Sequence, residues 1–342
     1  MNIGNNIKNL RHLNNMTQEQ LAEKLSISPQ AVSKWETGTT LPDVTLLPEI
    51  SVLLGVTIDE LFTLSDEARF ERIDNMLYDV RFLSESEFSQ SEKYLIKKCN
   101  EETTRPKAEL LLAQLYNKRA DEYHQLASPL ARRALMDNPD TKDAHNALFD
   151  AERGVYQDWH GVNHHRLIAF YYAFLKQHPD NFFAYLWLSD LLVADGRLEE
   201  AADVAETIKH LKHTYHYELL KSQIERAKGH HAKAQTWLDN MLALEPENEF
   251  ALFAYANEMA KQCSYEEAIE YYHREMPLRQ KPRFVDTEEA LAQIYEIRGD
   301  FAAAIAMHEQ IISIMQSDWK EVEGEGLDIH RREIERLKKL MS

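Results

Sequence analysis

Cysteine is nearly absent: Cys99 and Cys263 stand far apart, with no CxxC pair, in a chain of 342 residues. That excludes a disulfide framework and a cysteine-built metal site, and it suits a reducing cytosol. Glycine and proline, ten of each, are also scarce. Low-complexity and collagen-like chains are excluded, and few breakers interrupt helices. Long apolar runs are missing too. The longest, Leu167 to Leu175, holds Tyr171 and Tyr172 and is too short to span a bilayer. The opening "MNIGNNIKNLRHLNN" has no apolar signal core, so a cytoplasmic protein with no membrane partner is expected. Positive charge is in deficit: the net charge is −18, which argues against a protein that coats nucleic acid or an anionic membrane. Finally, GxSxG, P-loop, GxGxxG and HExxH motifs are all lacking. No enzyme, no cofactor and no metal site is expected.

What is present is helix-forming sequence, long enough for two or more domains. In the front module, Ile3, Ile7, Leu10 and Leu13 recur at helical spacing. Thr17-Gln18-Glu19-Gln20 reads as a capping box that starts a second helix, with Leu21, Ala22 and Leu25 turned inward. Ser28 caps a third helix, and Pro29 takes its first position, where a missing N–H costs nothing. Gly38 closes it. Two short helices on a three-residue turn have helix-turn-helix spacing. Val32 and part of Trp35 face inward. Pro29, Gln30, Ser33 and Lys34 face outward, where this motif meets base edges. Gln suits adenine, Lys suits guanine and Ser pairs with several bases. Gln18, Thr37, Thr39 and Thr40 can donate to phosphates and set register.

"LRHLNNMTQEQLAEKLSISPQAVSKWETG" followed by "LPDVTLLPEISVLLGVTIDELF" resembles the Xre/Cro class of helix-turn-helix regulators. The resemblance covers residues 3 to 62. It implies a five-helix domain over residues 1–64, with later helices near Thr45–Leu54 and Ile58–Leu64. It also implies a structural pair between Arg11 and Glu36. One feature cuts against a simple DNA reader. Lys8, Arg11, Lys24 and Lys34 face seven acids (Glu19, Glu23, Glu36, Asp43, Glu49, Asp59, Glu60), so the module carries −3, where a non-specific DNA binder is basic. Two readings follow. Either single heads bind weakly and two copies share a two-fold site, about one helical turn apart (roughly 10 bp), or the module no longer binds DNA and is vestigial or docks a protein.

Residues 65–99 read as a connector helix, with Phe70, Ile73, Leu77 and Val80 on one stripe. Beyond it the chain repeats. Ala201, Ala234, Ala268 and Ala304 lie 33, 34 and 36 residues apart in "GRLEEAADVAETI", "GHHAKAQTWLDNM", "CSYEEAIEYYHRE" and "GDFAAAIAMHEQII". Helix-ending turns "NPD", "HPDN" and "EPEN" punctuate the pattern, and Pro179 and Pro246 stand 67 residues apart. A period near 34 with these small residues resembles tetratricopeptide repeats, in which paired helices bury their faces against neighbours. The expected solenoid spans 100–315, with helix pairs also at "AELLLAQLY…ARRALMDNPD" and "AHNALFDAERG…AFYYAFLKQHPDN". A polar-faced capping helix closes it within 316–342, with Ile334, Leu337 and Met341 inward.

One helix of each pair lines the concave side of such an array. The positions expected there are Phe183, Leu186, Asp190, Gln223, Arg226, Phe250, Phe253, Asn257, Gln293 and Glu296. Amides suit the backbone of an extended peptide, and aromatics offer pockets for its side chains. The aromatics also fit an inter-repeat core, whereas Asn257 and Gln293 fit a core poorly, because a buried amide needs partners. Histidines are plentiful, with His210, His213 and His216 three apart, but Tyr215 and Tyr217 interrupt the pattern and no Cys flanks it. The reading is therefore an all-α chain, an Xre-type head on a tetratricopeptide-like solenoid. That domain order resembles the RRNPP group of peptide-responsive regulators, with its PlcR-like and Rgg-like members. The resemblance implies a homodimer that binds double-stranded DNA and a short peptide. The rival is an adaptor whose solenoid holds a partner protein.

Overall fold

The computed structural model describes residues 3–62, 66–155 and 158–341. The chain is helical throughout these residues and divides into two compact units, Met1–Gln125 and Leu126–Ser342.

The first unit opens with α1 (Ile3–Leu13), α2 (Gln18–Lys24) and α3 (Pro29–Glu36). A 3-10 turn (Val44–Leu46) leads into α4 (Leu47–Leu54), and α5 (Ile58–Leu61) follows. Residues 63–64, the expected end of that last helix, lie outside the described residues. Thr17 and Gln20 form the reciprocal cap of α2: the Thr17 hydroxyl accepts from the Gln20 N–H, and the Gln20 side chain accepts from the Thr17 N–H. Ile3, Ile7, Leu21, Val32, Trp35 and Ile50 build one core. Leu13 is 78% exposed, against expectation. The fourth inward position of α1 is Arg11, one turn after Ile7, and it is buried because Glu36 meets it there.

The expected single connector helix is two, α6 (Asp66–Asp79) and α7 (Glu85–Cys99). Ser84 caps α7 in a second reciprocal box with Glu87, and that cap ends the run. Phe70, Ile73, Leu77 and Leu95 pack with Ala108, Leu111 and Leu115 of α8 (Arg105–Asp137) into a separate core. Glu122 of α8 accepts the Leu83 N–H at 2.8 Å. The pair expected between 100 and 140 is thus one 33-residue helix. No glycine lies between Tyr116 and Asp137 to end it, and Pro129 removes one N–H without breaking it.

The second unit stacks helices in sequence order: α9 (Lys142–Ala151), a short α10 (Trp159–Val162) and α11 (His165–Gln177), then α12 (Phe182–Ala194), α13 (Leu198–Leu211), α14 (Tyr215–Ala227), α15 (His231–Leu244), α16 (Glu249–Lys261) and α17 (Tyr265–Glu275). α18 (Asp286–Ile297), α19 (Phe301–Asp318) and α20 (Glu325–Met341) complete it. Helices α12/α13, α14/α15, α16/α17 and α18/α19 pack as pairs, and each pair packs on the next. This is a helical solenoid. Ala201, Ala234, Ala268 and Ala304 are fully buried, where a larger side chain would hold the paired helices apart. Within the pairs the turn needs a left-handed residue. Gly196, Gly229 and Gly299 supply it at φ +71°, +80° and +76°, and Cys263 takes the equivalent place at φ +58°. The closing segment differs from the expected cap in two ways: α19 runs on to Asp318, and Met341 is exposed while Ile334 and Leu337 are buried.

Candidate nucleic-acid interface and ligand groove

The reading head is fixed by one ionic knot. Arg11 donates from Nε to Glu36 Oε1 at 2.6 Å and from a terminal nitrogen to Glu36 Oε2 at 3.0 Å. Its other terminal nitrogen donates to the Met16 carbonyl at 2.6 Å. Gln18 Nε2 donates to Glu36 Oε2 at 2.7 Å. Burial works to raise the Glu36 carboxyl, but the Arg11 and Gln18 hydrogen bonds and the Arg11 charge outweigh it and hold the group below the ordinary carboxylate range. The knot joins α1, α2 and the end of α3, so it sets the angle at which α3 is presented. It also takes up one of the two amide N–H groups of Gln18, the side chain expected at a phosphate. Gly4 completes the joint: a Cβ there would lie 1.6 Å from the Trp35 carbonyl oxygen, so α1 meets α3 only because that position is bare.

On the outer side of α3, Pro29, Gln30 and Lys34 are exposed and Ser33 is half-buried. Gln30 and Lys34 stand one turn apart on the same face. Ser28 is exposed, and its Oγ accepts the Ala31 N–H at 3.2 Å, so it serves the helix cap. The Thr37 hydroxyl donates back to the Ser33 carbonyl at 2.9 Å and lies 3.0 Å from the Thr39 hydroxyl. Thr39 and Thr40 are exposed beside it. The face is short, polar and carries a single cation, Lys34.

In the second unit, Phe183 and Phe250 are exposed by 71% and 55%, each near the N-terminus of its helix. Phe183, Leu186, Asp190 and Gln223 line a cavity of about 270 Å³ between α12 and α14 together with Trp187 and His216. Phe250 and Phe253 line a second, of about 410 Å³, between α16, the end of α17, the segment 276–285 and the start of α18. Desolvation, opposed by Lys261 and helped by Glu258, raises the Asp190 carboxyl above its ordinary range. Burial lowers the His216 imidazole.

Four of the expected groove side chains have internal partners for part of their hydrogen-bonding capacity, while Arg226 Nε is buried without a hydrogen bond among the described residues. Gln223 Nε2 donates to Glu258 Oε1 at 3.1 Å, and Arg226 Nε lies 3.5 Å from Glu258 Oε2. The Tyr272 hydroxyl donates to Asn257 Oδ1. Glu296 takes both arms of Arg336 from α20, at 2.8 and 2.7 Å. Asn257 therefore does have the partner that a semi-buried amide requires, in the second helix of its own pair. Gln293 is exposed on α18.

The Helix-turn-helix family HTH_3 matches residues 7–61. An uncharacterised helix-turn-helix transcriptional regulator of Methanocaldococcus jannaschii is 38% identical over 63 residues, 18% of this chain and 96% of that protein. The chain belongs to this family of helix-turn-helix transcriptional regulators. The activator BcrR of Enterococcus faecalis is 46% identical over 63 residues, 18% of this chain and 31% of BcrR; the match thus spans less than a third of that relative. A crystal structure of Bacillus thuringiensis PlcR with a peptide and DNA aligns over 92% of this chain and 99% of that one, at 14% identity and a TM-score of 0.28. At that distance neither architecture nor ligand carries over.

Within this helix-turn-helix regulator, several residues that line the two cavities were not among those expected from the sequence. Trp187 stands four residues after Phe183 and was legible as an extension of that exposed stripe. His216 lies where the repeat pattern degenerates. Arg279, Glu288 and Glu275 meet across a chain reversal of no regular period, which spacing alone does not reveal.

Proposed function

We propose that this protein is a cytoplasmic, dimeric transcriptional regulator that reads a two-fold DNA site with α3 and whose solenoid binds a short peptide that alters DNA binding. The observation that supports the peptide is the exposed aromatic floor. Phe183, Trp187 and Phe250 lie open beside cavities of about 270 and 410 Å³. Large exposed apolar side chains gathered at a cavity mark a binding site more often than an inert face. The peptide need only favour one dimer arrangement over another; a difference of about 1–3 kcal/mol shifts DNA affinity roughly 5–150-fold. Native mass spectrometry of the full chain, incubated with the small-peptide fraction of its host's spent medium, tests this. A dimer carrying a peptide-sized increment is expected. A bare dimer would remove the peptide from the account, and a bare monomer would also remove the two-headed reading.

The −3 charge of the first 64 residues favours a second reading, an adaptor whose front module docks a protein. If Gln30→Ala combined with Lys34→Ala leaves the cellular phenotype intact, the adaptor stands and the DNA reader falls.

A further inference from the structure

The larger cavity has a charge imbalance. Glu249, Glu275 and Asp286 line it together with Arg279, Lys281 and Arg283, and Glu288 and Asp318 stand directly behind those cations. Five carboxylates share three cations, and each cation already has a carboxylate partner. Arg279 holds Glu288 at 2.5 and 2.8 Å, and its Nε lies 3.4 Å from Glu275. Arg283 clasps Asp318 at 2.7 and 3.0 Å, and Lys281 reaches the same carboxylate at 3.5 Å. Arg279 Nε has no hydrogen-bond partner among the described residues, but it already lies in the field of the Glu275 carboxylate, so the charge left over in the cavity is negative and favours an arriving cation over an anion.

Two further observations point the same way. Among the described residues, two atoms of this lining are buried without a hydrogen-bond partner, the acceptor Glu249 Oε2 and the donor Arg279 Nε, and only the donor has an opposite charge beside it, Glu275 at 3.4 Å. Glu275 is buried, and burial raises its carboxyl; the Thr287 hydroxyl and the Arg279 charge oppose that rise, while the negative charges of Glu288 and Glu249 add to it. Around these oxygens stand the rings of Phe250, Phe253 and Phe284, whose faces attract a positive group, more strongly where water is excluded.

Resting on the peptide-binding reading above, we propose that this cavity is a subsite for a positively charged group of the ligand, a Lys or Arg side chain or the free N-terminal ammonium, held between carboxylates and aromatic faces. The cavity of about 270 Å³ between α12 and α14, with Phe183, Leu186 and Trp187, takes apolar side chains of the same ligand. The ligand class is thus a short peptide, mostly apolar, with one positive group.

The test uses the full chain and three pools of synthetic heptapeptides of matched apolar composition. The first pool is N-acetylated and carries one Lys. The second has a free N-terminus and no Lys, and the third is N-acetylated with no Lys. Peptides co-eluting with the protein in gel filtration are quantified by mass spectrometry. Retention of the first or second pool about tenfold above the third is expected; which of the two is retained identifies the source of the charge. Glu249→Gln combined with Asp286→Asn removes this preference, while Phe183→Ala lowers total retention and keeps the preference. Circular dichroism verifies that both variants are folded. Equal retention of all three pools, or a preference unchanged by the double variant, overturns the subsite and leaves the peptide reading standing. Retention of no pool overturns both.

Discussion

At the residue scale, the account rests on single side chains that hold geometry. The Arg11–Glu36 knot is legible as a resemblance, yet its strength comes from burial: both side chains are nearly inaccessible. Replacing Glu36 by Gln leaves the Arg11 charge buried without an anion, at a cost of about 3–5 kcal/mol at pH 7. The folded Glu36 carboxyl lies below its unfolded value. Its contribution is therefore complete above about pH 4.3 and is lost as pH falls through the lower, folded value. Urea unfolding at pH 7 and pH 3 should show a large gap between the parent and Glu36→Gln at pH 7 and a smaller one at pH 3; an equal gap would separate the knot from the acid response. Cys263 offers a second case. It holds a left-handed φ of +58° where the equivalent turns carry glycine. Cys263→Gly should raise stability by about 0.5–1 kcal/mol, the relief of Cβ strain less the entropy cost of glycine. A lower midpoint in thermal unfolding would mean that the contact between the Tyr265 hydroxyl and the Cys263 sulfur outweighs that strain.

At the element scale, caps and small residues carried most of the legible signal. Thr17-Gln20 and Ser28-Pro29 read directly, because each is a local rule acting over a few residues, and the alanine ladder reads because it recurs at a near-constant period. What did not read depends on contacts distant in sequence. Arg11 replaces Leu13 as the inward residue of α1 because Glu36 waits 25 positions away. Residues 65–99 look like a connector, and residues from 100 the start of the solenoid, until α6, α7 and α8 are seen to close their own core. Asn257 looks like a reader until Tyr272 is placed against it. The recognition element carries its own prediction. Gln30 is exposed on α3, so Gln30→Ala should cost about 1–3 kcal/mol of affinity for the preferred site and relax base preference at one position. Competition binding against single-base variants of that site measures it. A uniform loss across all variants would make Gln30 a backbone contact instead.

At the scale of the whole molecule, the all-helical plan was legible from the scarcity of glycine and proline and from the period near 34. The reading head was legible from its motif. The candidate groove was legible only as an aromatic stripe, because its cavities are made by side chains from different helices, and two of its expected amides, Gln223 and Asn257, bond to neighbouring helices. The central claim is that the chain reads a two-fold DNA sequence with α3. The most direct measurement is selection from a randomised duplex library with the full-length protein, repeated with the Gln30→Ala and Lys34→Ala double variant. Enrichment of a two-fold symmetric sequence, with half-sites about one helical turn (roughly 10 bp) apart, is expected, and the double variant should no longer enrich it. No enriched sequence, or the same sequence enriched by both proteins, would contradict the claim.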